Sequence, residues 1–315
     1  MESLHPTRFA SQPLPQAKIQ KALVFFNPAA GSGAGASLRE SLDRHFGKAG
    51  IAFEIHETRK DEPLGDIVRA RLREGFDLVV AAGGDGTIAD VLNGLVGCPV
   101  PLGIVPIGTG NLAARELGLP PELDAAVAML AGAPECRRID VMRIHGRFYV
   151  LNASVGISAS VVSGTSRADK KNFGRIAYFA TAFRKVLQVK TQRITIEVDG
   201  QTSSHRVAEA VVMNCGTIAR MLYPVDPIIC ADDGHLDVWI MRISRFIDYP
   251  LYFLGLFFDR PVTRLAMHLA AQKRITIRSK FPQPVQADGD MIGTTPVEIE
   301  IVPAALTVLV PPNIT

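Results

Sequence analysis

The sequence predicts an α/β protein in two parts. The first is a three-layer N-terminal domain, a parallel sheet between helices with glycine-rich loops after its strands. The second is a β-rich, sandwich-like C-terminal domain. Three observations carry this reading. In the first half, apolar runs of strand length alternate with amphipathic helical stretches through glycine-rich joints, the pattern of parallel strands joined by crossover helices. From Arg138 onward the period shortens to two and the turns become hairpin-like, as in antiparallel strands. The chain's 315 residues suit about two domains at roughly 150 residues each, and each can bury its own core.

Along the first half, strands are expected at Ala22 to Phe26, Ile51 to His56, Asp77 to Ala82 and Leu102 to Pro106, all short apolar runs. A helix is expected over Ser37 to Gly47, where Leu38, Leu42 and Phe46 share one face, and another over Ile88 to Leu95, where Ile88, Val91, Leu92 and Leu95 recur at helical spacing. A third, Glu122 to Leu130, ends near Gly132 and Pro134. In the second half, Arg143 to Leu151 contains a His145-Gly146 turn, and Ile194, Ile196 and Val198 alternate with polar residues before Gly200. A polar stretch from Ser158 to Gly174, a helix near Ile176 to Leu187 and an apolar helix near Ile247 to Phe258 interrupt the strands.

Composition excludes several classes. Lys and Arg total 34 against 31 Asp and Glu, a net charge of +3, so bulk charge does not hold this chain to nucleic acid. Residues 1–17 carry Pro6, Pro13 and Pro15 and no apolar core of signal-peptide length, and are expected to be a disordered tail. Cys98, Cys136, Cys215 and Cys230 are scattered without a CxxC pair, which suits a reducing cytoplasm better than a zinc site or a disulfide framework.

Three glycine loops follow three expected strands: Asn27-Pro-Ala-Ala-Gly-Ser-Gly33, Gly83-Gly-Asp-Gly-Thr87 and Gly108-Thr-Gly-Asn111. In a parallel sheet such loops share one edge and can face one ligand. Glycines let backbone amides approach phosphate oxygens without a Cβ clash, and a following helix N-terminus favours an anion. Together they point to a polyphosphate. The stretch Gly31-Ser-Gly33-Ala-Gly-Ala36, with Glu54 beyond it, also fits a dinucleotide fingerprint, but an oxidoreductase would leave the other two loops unexplained. No GxxxxGK[ST] occurs.

The segments FFNPAAGSG, GGDGTIADVLNGL, LGIVPIGTGNLAARELGLP, ADDGHLDVWIM and QADGD, the last followed by PVEIEIVPAALTVLVP, resemble in order the lipid kinases with a diacylglycerol kinase catalytic domain, which include bacterial diacylglycerol kinases, sphingosine kinases and ceramide kinases. The resemblance spans about residues 22 to 311. It implies an NAD kinase/diacylglycerol kinase-like fold and Mg²⁺-dependent transfer of the ATP γ-phosphate to a lipid hydroxyl in an interdomain cleft. By this resemblance Asn27, Pro28, Ala29, Ala30 and Gly31 would hold ATP. So would Gly84, Asp85, Gly86, Thr87, Ile88, Ala89 and Asp90, with Thr58 and Thr109 as further contacts and Lys171 facing phosphate. Asp288 and Asp290 stand where the family places its proton acceptor, and Asp233 with the carbonyls of Cys230 and His235 would bind Mg²⁺. The ATP domain would be residues 18–140 plus returning strands at about 296–315, and the lipid domain residues 141–295.

Two departures from the family pattern stand out. Ala89 and Asp90 replace the usual Asn and Glu, and the family's DGE is Asp288-Gly289-Asp290, its last acid one methylene shorter. Chemically, Asp85, Asp288 or Asp290 could accept the hydroxyl proton, and Asp85 could bring Mg²⁺ to the phosphates. The apolar Phe246 to Phe258 segment, with Arg260 and Arg264 beyond it, suits transient contact with an anionic bilayer. The expected setting is therefore cytoplasmic, peripheral at the inner membrane face, within lipid metabolism and phospholipid biosynthesis; a homodimer is compatible with the sequence. The alternatives are an NAD kinase-like soluble kinase and a catalytically weakened nucleotide-binding regulatory protein.

Overall fold

A computed structural model describes residues 19–31, 33–156, 191–217, 229–242, 248 and 265–312. The expected polar stretch, the Ile176 to Leu187 helix and nearly all of the Ile247 to Phe258 helix lie outside these residues. The chain divides into two compact units. One comprises residues 1–141, 231–234 and 302–315, and the other residues 142–230 and 235–301.

In the first unit, β1 (Lys21–Phe26), β2 (Ala52–Glu57), β3 (Leu78–Gly83) and β4 (Leu102–Pro106) form a parallel sheet in the order β2-β1-β3-β4. Beside β4 the last strand of the chain adds its C-terminal part, with Val308 opposite Leu102 in parallel pairing. The helices are α1 (Ala34–Ala49), α2 (Leu64–Arg71), α3 (Asp85–Leu92), α4 (Leu112–Glu116) and α5 (Leu123–Ala131). Because the strand order reverses direction after β2, right-handed crossovers place α1 on one face and α2 and α3 on the other. The period-two alternation of β1 fits this. Ala22, Val24 and Phe26 join one core cluster with Leu38, Leu42 and Phe46 of α1 and Val127 and Leu130 of α5. Leu23 and Phe25, on the opposite face, are fully buried.

Polar contacts knit the helices. Asp124 of α5 accepts from Ser41 Oγ at 2.6 Å and sits 3.2 Å from Arg44. The Ser41 hydroxyl and the neighbouring cations hold the Asp124 carboxyl below its usual range. On the other face, a Cβ on Gly94 would lie 2.6 Å from the carbonyl oxygen of Gly65, so α2 packs closely on the end of α3 only because both positions lack side chains. Helix α3 begins at Asp85, three residues ahead of the expected start, because Gly84 is itself its N-cap.

The second unit contains two sheets. In one, β7 (Asn152–Gly156), β10 (Glu209–Met213), β11 (Leu236–Met241), β12 (Ala266–Ala271), β14 (Pro284–Ala287) and β15 (Asp290–Thr294) run in the order β12-β11-β10-β7-β14-β15, all antiparallel. In the other, β8 (Gln192–Val198), β9 (Gln201–Val207) and β13 (Arg274–Ser279) pair with the start of β16 (Val297–Val310). The two sheets share one core, including Ile196, Ile275, Ile277 and Ile299 from the second and Val155, Val212, Val238 and Val285 from the first. That is a sandwich. The α/β class with a parallel N-terminal sheet and a β-rich second part agrees with the expected fold. Strand β5 (Glu135–Ile144) leads out of the first unit, and its end pairs with β6 (Arg147–Tyr149).

Candidate active site

The glycine loops close on one another at the C-terminal edge of the first unit's sheet. Asn27 follows β1 and its N–H donates to Ala82 O at 3.0 Å, while its side-chain Nδ2 donates to Thr87 Oγ1 at 3.0 Å. Its Oδ1 in turn accepts the Ala29 N–H at 2.9 Å, an Asx turn that shapes the first loop. One amide thus ties the first loop to the second.

The second and third loops meet backbone to backbone. A Cβ on Gly108 would lie 2.5 Å from Gly84 Cα, so neither loop could approach the other with a larger residue there. Asn111 adopts φ 49° and donates Nδ2 to Gly108 O at 2.9 Å, which turns the chain into α4. Asp85 Oδ1 accepts the Ala113 N–H at 3.1 Å, and a Cβ on Gly110 would stand 3.0 Å from Asp85 Oδ2. The carboxylate is therefore fixed between the second and third loops.

The expected ligand-holding residues take distinct places. Asn27, Pro28, Ala29, Ala30 and Gly31 form the loop after β1, and Thr109 lies in the loop that packs on Gly84. Thr58, just past β2, donates its N–H to Phe26 O at 2.8 Å and so stands beside the first loop. Gly84, Asp85, Gly86 and Thr87 make the first turn of α3 and its cap, and Asp90 is half-buried further along the helix. Ile88 and Ala89 are buried at 2% and 6% exposure, so their side chains belong to the core. Lys171 lies outside the described residues.

Asp233 belongs to a short segment, residues 231–234, that packs with the first unit. Asp140, buried in β5, clamps it: Asp140 N–H donates to Ala231 O at 2.6 Å and its Oδ2 accepts the Gly234 N–H at 2.7 Å. Its Oδ1 accepts the Ala304 N–H, also at 2.7 Å. Arg137 adds a two-pronged pair to Asp232, with both N···O distances 2.8 Å. Asp233 is 6% exposed. A carboxylate with backbone carbonyls is the hard oxygen set that Mg²⁺ takes, and the donor types at Asp233, Cys230 and His235 fit that ion. Among the described residues, no three His, Cys, Asp or Glu side chains gather into a metal-sized cluster.

In the second unit Asp288 and Asp290 differ sharply. Asp288, at φ 47°, forms the turn between β14 and β15. Its carboxylate accepts three backbone N–H groups, from Val150 (2.8 Å), Leu151 (2.9 Å) and Asn152 (3.0 Å). Asp290 is exposed at the start of β15. Sequence reasoning missed the support beneath this turn: buried Gln286 donates Nε2 to Asn152 Oδ1 (2.8 Å) and Ser154 Oγ (2.9 Å) and accepts the Gly289 N–H at 2.9 Å. A polar residue two positions before DGD, in a strand otherwise apolar, was the available signal.

Comparison with known proteins agrees with this fold. Residues 21–144 match the diacylglycerol kinase catalytic domain, and residues 152–310 match the YegS C-terminal NAD kinase beta sandwich-like domain. A diacylglycerol kinase of Bacillus subtilis is 28% identical over 245 residues, 73% of this chain and 77% of that one. One of Mycobacterium tuberculosis is 27% identical over 311 residues, 93% and 96% of the two chains. The crystal structure of a diacylglycerol kinase from Bacillus anthracis superposes with a TM-score of 0.74 at 25% identity, covering 95% of this chain and 99% of that one. The two matched domains, an α/β unit followed by a β-sandwich, place the chain among kinase-family proteins. The chain belongs to the diacylglycerol kinase catalytic-domain family of lipid kinases. Among the described residues, no helix is long and apolar enough to cross a membrane.

Proposed function

We propose that this protein uses ATP and Mg²⁺ to phosphorylate the hydroxyl of a lipid, of the diacylglycerol, ceramide or sphingoid-base class. The observation that carries the reading is the backbone contact between Gly84 and Gly108, bridged to the first loop by Asn27. It leaves a glycine-lined surface where backbone donors can hold a polyphosphate. The relatives named diacylglycerol kinase supply the acceptor class.

A lipid alcohol is a weak nucleophile, and the γ-phosphate repels an approaching alkoxide, so catalysis rests on positioning and charge stabilisation. The Gly84 and Gly108 loops would hold the phosphates, and Asp85, held by the Ala113 N–H, would hold Mg²⁺ directly or through water. Mg²⁺, when bound, neutralises charge on the phosphates. The hydroxyl oxygen forms the new bond to γ-phosphorus, the bond to ADP breaks, and the hydroxyl proton passes to Asp290. Asp288, whose oxygens are committed to three amides, holds the hairpin rather than taking the proton. The acceptor resides in a membrane, so the protein meets a bilayer transiently from the cytoplasmic side. Phe281, 64% exposed with Lys280 Nζ 5.4 Å from its ring centroid, supports such contact.

The test is transfer of labelled γ-phosphate from ATP to an extracted lipid pool, read by mass spectrometry. Labelled phospholipid should form with Mg²⁺, disappear with a chelator, and be lost in Asp85→Asn while circular dichroism shows that variant folded. Labelling of NAD instead of lipid, or of neither, would overturn the reading.

A further inference from the structure

One cation of the second unit is turned inward without a counter-ion. Arg242 directly follows β11, and its N–H continues the pairing by donating to Leu265 O at 2.7 Å. By strand alternation it shares a face with Val238 and Ile240, both in the core between the two sheets. Its guanidinium therefore enters the margin of the sandwich, where Nη2 meets His205 Nδ1 at 3.2 Å and touches Met267 Sδ. His205 stands on the inner face of β9, opposite the buried Ile194, and Met267 of β12 packs against the same core. Strands β9 and β12 each end their sheet.

The proton positions follow from the chemistry. A guanidinium can only donate, so His205 Nδ1 accepts, and the ring proton lies on Nε2, which donates to Ser203 Oγ at 2.8 Å. Burial, and then the Arg242 charge, hold the imidazole below its usual pKa, so the ring is neutral at about pH 7. The cation is thus met by a neutral nitrogen and a thioether. Among the described residues Arg242 forms no salt bridge, and its Nε–H is buried without an acceptor. A charge taken out of water is ordinarily paired. The partner that a guanidinium fork takes best from outside the chain is a phosphate-type oxyanion, through two parallel N–H bonds. In sequence Arg242 leads straight toward the apolar Phe246 to Phe258 stretch, a composition suited to a bilayer surface, where such oxyanions are lipid headgroups.

We propose that Arg242, oriented by His205, is an oxyanion site that binds a phosphate group, carried by an anionic phospholipid or free in solution. The site belongs to the second unit and stands apart from the glycine loops of the first.

The test follows the His205 imidazole by NMR in the full chain with isotope-labelled histidine, the signal being assigned with His205→Gln. The probes are dihexanoyl phosphatidylglycerol below its micelle concentration, dihexanoyl phosphatidylcholine and inorganic phosphate. Phosphatidylglycerol should shift the His205 signal saturably. Arg242→Gln, shown folded by circular dichroism, should bind it about tenfold or more weakly, the worth of a charge-assisted hydrogen bond. Arg242→Lys, which keeps the charge and loses the fork, should fall between. A saturable shift with inorganic phosphate as well supports the site and makes the dissolved anion a source; a shift with phosphatidylglycerol alone supports the lipid. No shift with either, an equal shift with phosphatidylcholine, whose choline offsets the phosphate charge, or wild-type affinity in Arg242→Gln would overturn the proposal. Should Arg242→Gln fail to fold, Arg242→Lys decides, and affinity equal to wild type there overturns it.

Discussion

Asn27 and Thr87, 60 residues apart, are joined by one hydrogen bond from Nδ2 to Oγ1 at 3.0 Å. This bond makes two loops one surface, because the same side chain also accepts the Ala29 N–H. Removing it with Asn27→Ala loses two hydrogen bonds, each worth roughly 0.5–1.5 kcal/mol net. The expected outcome is a modest fall in denaturation midpoint with a larger fall in ATP affinity, measured by calorimetry on the folded variant. Asn27→Asp should bind ATP still more weakly, since it sets a second carboxylate near the phosphates.

The contact between Gly84 and Gly108 leaves no room for a methyl group: the Cβ of Gly108→Ala would fall 2.5 Å from Gly84 Cα and 2.8 Å from Asn111 Oδ1. Relief requires backbone movement, and such overpacking costs about 1–3 kcal/mol. Chemical denaturation should show that loss together with loss of nucleotide binding. Gly86→Ala is the control for stability alone, since a Cβ there meets nothing within 4 Å.

Asp288 and Asp290 separate structure from chemistry. Asp288→Asn places an amide donor against three backbone N–H groups and should cost about 1–3 kcal/mol of stability. Asp290→Asn touches an exposed residue and should leave the denaturation midpoint unchanged, while slowing single-turnover phosphate transfer by roughly 10²–10⁴, the usual worth of a general base. A destabilised but fully active Asp290→Asn would assign the proton elsewhere.

Acid should loosen the second unit at a definable point. Asp199, in the β8–β9 turn, is pushed up by burial, but the N–H groups of Gln272, Arg274 and Lys273, at 2.7–2.9 Å, outweigh this and hold its carboxyl below the usual value. A carboxyl depressed in the folded state stabilises above its unfolded pKa, 3.8, and that contribution is lost as pH falls through the folded value. Urea denaturation at pH 6 and at successive points below pH 4 should show Asp199→Ala weaker than wild type at pH 6, with the gap narrowing in acid.

Much of the first unit was legible in sequence because short apolar runs and glycine joints follow backbone rules within a few residues of themselves. Helix α2 was not. It has eight residues, contains Gly65 and buries only Leu64 and Val68, so its periodicity is too brief to read. Its place depends on the gap left by Gly94, which is a contact between distant segments.

By itself the sequence determined the two-part α/β and β-rich architecture, the three glycine loops and the two acids of the DGD turn, all encoded in local periodicity and spacing. Only the tertiary structure decided what those groups do to one another. The amides that occupy Asp288 lie 136 to 138 residues earlier in the chain, and the carboxylate that orders Asp233's segment comes from β5. A carboxylate's availability depends on which backbone donors folding brings to it, and those donors are present at every residue, so no pattern of side chains announces them.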